Sequence, residues 1–441
     1  MGKEETIVHT FNNKVRMVYS HSNDSITAIS IFIKVGSINE GQNNHGMSHL
    51  LEHMLFKGSR SYPTAGKISW EMDAIGAYFN AYTTKDKTCY MATCPTKYIK
   101  RMTDVLTDIV VNPVLRKEDF DLERGVVIEE LRNSEDDPDS KIEDKIEELC
   151  FEGHQLAKTV GGSIKDITEL KYEDMRRYYE NFYCAENIVV SICTDLSVAE
   201  TIKIIGASKF KGIRQGCDRP NIIRNLNPQS GIRFEYIKKP LEQLYIAIGF
   251  RLGSMNSTDR FAFDILESYM AGPLSSVLFT VLREQNAISY NVSASYNGYI
   301  DMSAFYIKTA LDKSKLFKNS VGNKRGALEI IIGELNNLVK SGITAEGLNH
   351  TRDYLIGRNL VEIESSLGSS DYDGQIITLG LTPSVFIRDL SREYEKVNRE
   401  LVNKLIRTYI KRENMSVVVI SDMDNKFGME IRKKIEHLCK F

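Results

Sequence analysis

The sequence predicts an α+β protein of two homologous domains, each a mainly antiparallel sheet packed with helices, joined by a linker. Three observations carry this expectation. At 441 residues the chain exceeds what one hydrophobic core usually organises, and a prior of ~150 residues per domain gives two or three. The segment Ala28-Ile-Ser-Ile-Phe-Ile-Lys-Val-Gly-Ser37 is echoed by Leu244-Tyr-Ile-Ala-Ile-Gly-Phe-Arg-Leu-Gly-Ser254, two buried-strand patterns entering a Gly-Ser turn at an offset of about 217 residues. After each comes the same succession: a helical pattern, an aromatic, Ser/Thr-rich strand pattern (77–94 and 288–309), then a long helix. Between the copies, Lys209 to Gly231 is rich in Gly, Pro, Asn, Arg and Lys with little periodicity, which sets domains at 1–212 and 230–441 and a linker at 213–229.

Composition narrows the function classes. With 42% hydrophobic and 26% charged residues the chain packs cores, so disorder and a disulfide-dense scaffold are disfavoured. Lys+Arg 57 against Asp+Glu 59, a net charge of −2, leaves no basic field for phosphate, and nucleic acid is not an expected partner. The longest apolar runs, Leu244 to Phe250 and Val417 to Ile420, are far too short to span a bilayer, so no membrane partner is expected. Seven scattered cysteines without a CxxC pair suggest neither a disulfide framework nor a thiolate zinc site, and a reducing, cytoplasmic setting fits them. An organellar matrix is the alternative if a targeting segment has been removed. The acidic run Glu135 to Glu148 reads as a solvated helix face after a turn at Asp137-Pro138-Asp139; a border to a substrate path favouring basic residues is the sharper alternative.

Chemistry concentrates in Asn44 to Gly58. Met47, Leu50, Leu51, Met54 and Leu55 fall at helical spacing, with Asn residues before them and a glycine after, so an amphipathic helix facing a core is expected. Off that stripe stand His49, Glu52 and His53. The i,i+4 spacing sets two imidazoles one turn apart, close enough for both to bind one tetrahedral ion, and Glu52 is placed to accept a proton from metal-bound water. His-x-x-Glu-His is the inverted zincin pattern of metallopeptidases. Three of the eight histidines lie within this stretch; His45, ahead of Gly46 at the helix start, reads as exposed or capping.

A zinc site needs a third protein ligand and an open position, which directs attention to a carboxylate on a second helix. Glu129 and Glu130 compete. Stepping about 100° per residue from Phe120 aligns Val127 and Leu131 on a core stripe, with Glu123 and Glu130 on one flank and Glu129 facing away. Glu130 is the better inward ligand, and Glu123 can support it or a ligating histidine.

These residues make the chain resemble the pitrilysin-type (insulinase-like) M16 metallopeptidases, in particular short two-domain members such as the β subunit of the mitochondrial processing peptidase. That family follows His-x-x-Glu-His with a glutamate after about 76 residues, the spacing between His53 and Glu130 here, and places another glutamate seven positions earlier, at Glu123. Gly58, Asn80-Ala-Tyr-Thr-Thr84, Glu123-Arg-Gly-Val-Val-Ile-Glu-Glu130, Gly272-Pro-Leu-Ser-Ser276 and Leu282-Arg-Glu-Gln-Asn-Ala-Ile-Ser-Tyr290 also look like family segments.

The resemblance implies a zinc peptidase with one Zn2+ per chain on His49, His53 and Glu130, in which Glu52 is base and then acid. It implies an exposed edge strand at Phe79, Asn80, Ala81, Tyr82 and Thr83 that takes an unfolded peptide as an added strand, and Arg283 and Tyr290 as substrate-binding residues. Ile265 or Leu266 and Tyr269 or Met270 stand where the second copy would carry zinc residues, so that half is expected to hold no metal. Two-domain length implies a homodimer in which the second domain of one chain serves the zinc domain of the other. Alternatives are a processing-peptidase subunit in a heterodimer with a non-catalytic partner, or a non-catalytic scaffold subunit.

Overall fold

The computed structural model describes residues 6–217, 227, 229–254, 257–319, 324–381 and 386–441. They form two compact units that differ from the two sequence halves. One takes the described residues of 1–132, 158–223 and 358–390; the other takes those of 133–157, 224–357 and 391–441.

The first unit is built on strands β1 (Ile7–Thr10), β2 (Arg16–His21), β3 (Ile26–Ile33), β4 (Tyr78–Thr83), β5 (Thr88–Pro95) and β6 (Ile188–Thr194), in the order β1-β2-β6-β3-β5-β4. Only β2 and β6 run parallel. Central β3 pairs on both sides, Ile31 standing opposite Val190 and Tyr90, and is buried from Thr27 onward. Burial on both faces is why it reads as a continuous apolar run instead of an alternating one.

The second unit carries β7 (Arg233–Lys238), β8 (Leu244–Leu252), β9 (Val292–Gly298), β10 (Ser303–Leu311), a short ladder of β11 (Lys318–Asn319) with β12 (Lys324–Arg325), and β13 (Met415–Ser421). Its main sheet runs β7-β13-β8-β10-β9, again with one parallel pair, β7 with β13. Position by position this repeats the first sheet, with β1 as the only addition there. The two echoed sequence segments, β3 and β8, both occupy the sheet interior, so the expected fold class and duplication are present.

Each half of the sequence lends a helix to the other half's sheet, and the halves expected as domains are therefore interleaved. Helix Pro138–Cys150 packs on β8 and β13, and helix Ser366–Thr378 on β3 and β6. Both approach at a glycine. A Cβ on Gly249 of β8 would lie 2.7 Å from Cys150 Sγ, and one on Gly374 would lie 2.2 Å from the Phe32 ring. Asp137 caps the first of these helices, accepting from the amides of Asp139 and Ser140 with Pro138 in the first turn, as the turn reading anticipated. Most of the acidic run is solvated as expected, with Glu135, Asp136, Asp137, Asp139, Glu143, Asp144 and Glu148 exposed. Glu147 accepts from Asn297 at 3.0 Å and Tyr306 at 3.3 Å, and Lys308 pairs with Asp139 and Glu143, so one face is built into the second sheet.

The other exchanged helix buries mostly small polar residues, among them Ser366, Ser369, Ser370, Asp373 and Gly374. Ser370 reaches Ser30 Oγ at 2.9 Å and the Ser191 carbonyl at 3.0 Å, while Asp373 accepts from Ser20 Oγ at 2.6 Å and the Ile387 amide at 2.8 Å. Burial pushes the Asp373 carboxyl up to about 6.

Of the expected linker, Ile213 to Cys217, Asn227 and Gln229 are described, and its other residues lie outside the described set. Cys217 corrects the cysteine reading: it is disulfide-bonded to Cys184, with Cα atoms 5.8 Å apart, whereas Cys89, Cys94, Cys150, Cys193 and Cys439 are free and buried. A separation of 33 residues and the absence of any motif hid the pair. No helix of the described residues is long and apolar enough to cross a membrane.

Candidate metal centre

The helix predicted around the histidines spans Met47–Leu55 and buries Met47, Leu50, Leu51, Met54 and Leu55 against the first unit's core. Its start is set from a distance. Gly46 precedes it at φ +84°, where a Cβ would meet the Gly161 carbonyl at 2.5 Å, so neither the conformation nor the space suits another residue. The fully buried Glu40 carboxylate accepts from the amides of Gly46 (2.9 Å) and Ser48 (2.8 Å), satisfying orphan donors of the first turn. Burial lifts the Glu40 carboxyl to about 8 against the pull of those bonds. The capping role read for His45 therefore belongs to Glu40, and His45 is largely buried, 4.0 Å from the same carboxylate.

His49 and His53 stack edge to face, ring centroids 4.7 Å apart. From helix Lys117–Asp136, Glu130 Oε2 stands 3.9 Å from His49 Nε2 and 3.5 Å from His53 Nε2. Two ligand atoms at ~2.0–2.1 Å from one tetrahedral ion stand roughly 3.3 Å apart, so this donor set fits zinc closely without being hydrogen-bonded to itself. Glu129 pairs with exposed Arg132, whereas Glu130 is the one of the two glutamates brought to the histidines. Glu123, buried, accepts from His53 Nδ1 at 3.2 Å and pairs with Lys57, holding the imidazole so that Nε2 faces Glu130.

The electrostatics of the two histidines differ. Burial, then the neighbouring His53, lowers His49 to about 4, leaving it neutral with a free lone pair at neutral pH. For His53 burial pulls down, but the hydrogen bond to Glu123 and the charges of Glu130 and Glu52 outweigh it and the net shift is upward. Burial raises the Glu52 carboxyl, opposed by a bond from Thr83 and by His53. Glu52, read from its spacing as sharing the face of the two histidines, is buried, and Thr83 Oγ1 donates to its Oε2 at 2.6 Å.

β4 ends the sheet, so one of its backbone edges has no strand partner among the described residues. Its side chains alternate. Phe79, Ala81 and Thr83 share the face of the histidine helix, Phe79 lying 6.1 Å from Phe56, whereas Tyr82 on the opposite face donates to Asp371 Oδ1 at 2.6 Å. Asn80 is exposed.

The insulinase model of peptidase family M16 matches residues 16–163, and the M16 inactive-domain model matches 169–355. The chain belongs to peptidase family M16. A chain of the short two-domain type, it matches nearly the whole of an uncharacterized zinc protease of Bacillus subtilis, 27% identical over 422 residues, 95% of this chain and 98% of that one. An uncharacterized zinc protease of Rickettsia felis is 31% identical over 300 residues, covering 66% of this chain and 70% of its own. A protease of Helicobacter pylori shares the fold with TM-score 0.86 at 18% identity, over 95% of this chain and 99% of that chain. The periplasmic protease PqqL of Escherichia coli does so with TM-score 0.78 at 16% identity, over all of this chain and 50% of that one.

Within this M16 chain the described residues of the second unit contain no group of three or more candidate metal ligands. In its helix Ser257–Ala271, Ile265, Leu266 and Met270 are buried apolar side chains. Arg283 sits in a π-helical turn, Thr280–Gln285, its guanidinium 4.3 Å over the Tyr290 ring and 4.9 Å over Phe279, and Tyr290 is 79% exposed. The cluster Cys184, Glu186 and Cys217 in the first unit is closed to metal by its disulfide.

Proposed function

We propose that the chain is a zinc-dependent peptidase cleaving peptides or unfolded segments. The observation that carries this is the convergence of His49, His53 and Glu130 to tetrahedral spacing beside the buried carboxylate of Glu52. A zinc ion held there supplies Lewis acidity toward a carbonyl and acidifies water. His49 and His53 offer their Nε2 atoms, and Glu123 keeps the His53 ring turned. Glu52 takes a proton from water and hands it to the leaving nitrogen. The free edge of β4 pairs with the main chain of an extended substrate, a mode of binding that reads few side chains.

Elemental analysis tests the metal and should find about one zinc per chain. Digestion of a defined peptide mixture, mapped by mass spectrometry, should show cleavage that chelation abolishes; undiminished activity in metal-free protein sinks the reading.

The active unit we propose is a homodimer in which Arg283 and Tyr290 of one chain bind substrate at the zinc site of the other. Support comes from Arg283 stacked over the exposed ring of Tyr290 and from a two-unit length equal to half of a single-chain relative in fold. Mixing Glu52→Gln with Arg283→Ala subunits should restore roughly a quarter of wild-type activity, because random exchange makes half the dimers mixed and, under two-fold symmetry, half the sites of each mixed dimer carry neither defect. No recovery despite verified exchange refutes the trans assignment. Against the cytoplasmic setting read from the scattered cysteines stands the Cys184–Cys217 disulfide; the redox state of the pair in protein isolated under thiol-blocking conditions decides, a reduced pair supporting a reducing compartment and an oxidised pair an oxidising one.

A further inference from the structure

Thr83 falls in the strand expected to bind substrate, yet its hydroxyl is already engaged, donating to Glu52 Oε2 at 2.6 Å. Among the described residues no other hydrogen-bond donor reaches that carboxylate. A glutamate side chain has three rotatable bonds, and a hydrogen-bond donor on one carboxylate oxygen restricts their rotation. The strand that presents Thr83 is itself braced. Next to it Tyr82 is anchored to Asp371, whose other oxygen accepts from Gln375 at 2.6 Å, and the following turn is closed by the Thr84 amide donating to the Lys87 carbonyl at 2.8 Å. Period-two alternation sends Tyr82 to the exchanged helix and Thr83 to the histidine helix, so one strand ties both together.

We propose that Thr83 is a positioning residue: its hydroxyl holds one oxygen of Glu52 and leaves the other turned to take the proton. The proposal rests on the peptidase reading for its catalytic consequence. It also couples binding to chemistry, because a peptide added along β4 steadies the strand that carries the hydroxyl.

The test uses the full chain with Thr83→Val and Thr83→Ser. The valine variant should keep its zinc and its KM within about twofold while kcat falls ~10–100-fold, the scale on which small misplacement of a catalytic group acts. The serine variant should recover most of the loss. A rise in KM or in peptide Kd with kcat preserved overturns the proposal, since Thr83 would then contact substrate. A second measurement needs no turnover: in urea unfolding of metal-free protein, Thr83→Val should change the folding constant roughly tenfold more in the wild-type background than in a Glu52→Ala background. Additive effects there overturn the contact itself. If the wild type cleaves nothing, the peptidase reading fails, and the unfolding cycle still decides whether Thr83 holds Glu52.

Discussion

One strand order is built twice in this chain, once around a metal-capable site and once without it. In the first unit the helix after the central strand offers His49, Glu52 and His53; in the second, the helix in that place buries Leu266 and Met270. The scaffold therefore does not require the polar cluster, and the cost of burying Glu52 and Glu123 is met locally, by Thr83, His53 and Lys57. What the comparison teaches is that stability and chemistry are separable here, residue by residue.

Glu52→Gln should break the comparison most sharply, retaining zinc but losing about 10²–10⁴-fold in kcat because an amide accepts no proton from water. Leu266→Met in the counterpart helix should leave kcat within about threefold, as volume-conserving core swaps do. Equal losses in a steady-state assay would show that the units are not functionally distinct.

Gly374→Ala and Gly249→Ala probe the two exchanged helices. Each should cost about 1–3 kcal/mol in urea unfolding, with the larger loss at Gly374, where the Phe32 ring blocks the new methyl at 2.2 Å. A neutral Gly374→Ala would mean that the helix lies farther from β3 than the structure places it.

A pH-dependent effect belongs to Asp264 of the second unit, which burial and then the charge of Glu267 push up to about 7. Its folded pKa exceeds the unfolded value of ~3.9, so the folded state holds a proton that the unfolded chain has released. Stability from this group is fully present below pH ~4 and is lost as pH rises through about 7. Asp264→Asn should flatten the fall in unfolding free energy across that window; an unchanged slope assigns the titration to another group.

Much of this was legible in the sequence because the signals are local. The spacing of His49, Glu52 and His53 is a property of one helix, and a 100° step separates Glu130 from Glu129 without knowledge of the fold. Repetition of β3 in β8 survives because both are buried on two faces and admit few residue types. Long-range features left no such mark. Glu40 caps a helix from outside the usual cap position, the Thr83 bond joins elements far apart in the chain, and helix Ser366–Thr378 buries serines and glycine instead of an apolar stripe. A search for periodicity passes over each of them. The Cys184–Cys217 bond was invisible for the same reason.

Helix exchange also bears on synthesis. When β6 leaves the ribosome the first sheet is topologically complete, but the helix that covers Phe32 and Ser191 is still untranslated, with roughly 170 residues to go. At ~5–20 residues per second that is on the order of 10–35 s during which a finished sheet shows a bare face. The nascent chain must then rely on chaperones, or on small polar residues such as Ser30 and Ser191 that make the waiting surface less adhesive than a purely apolar one.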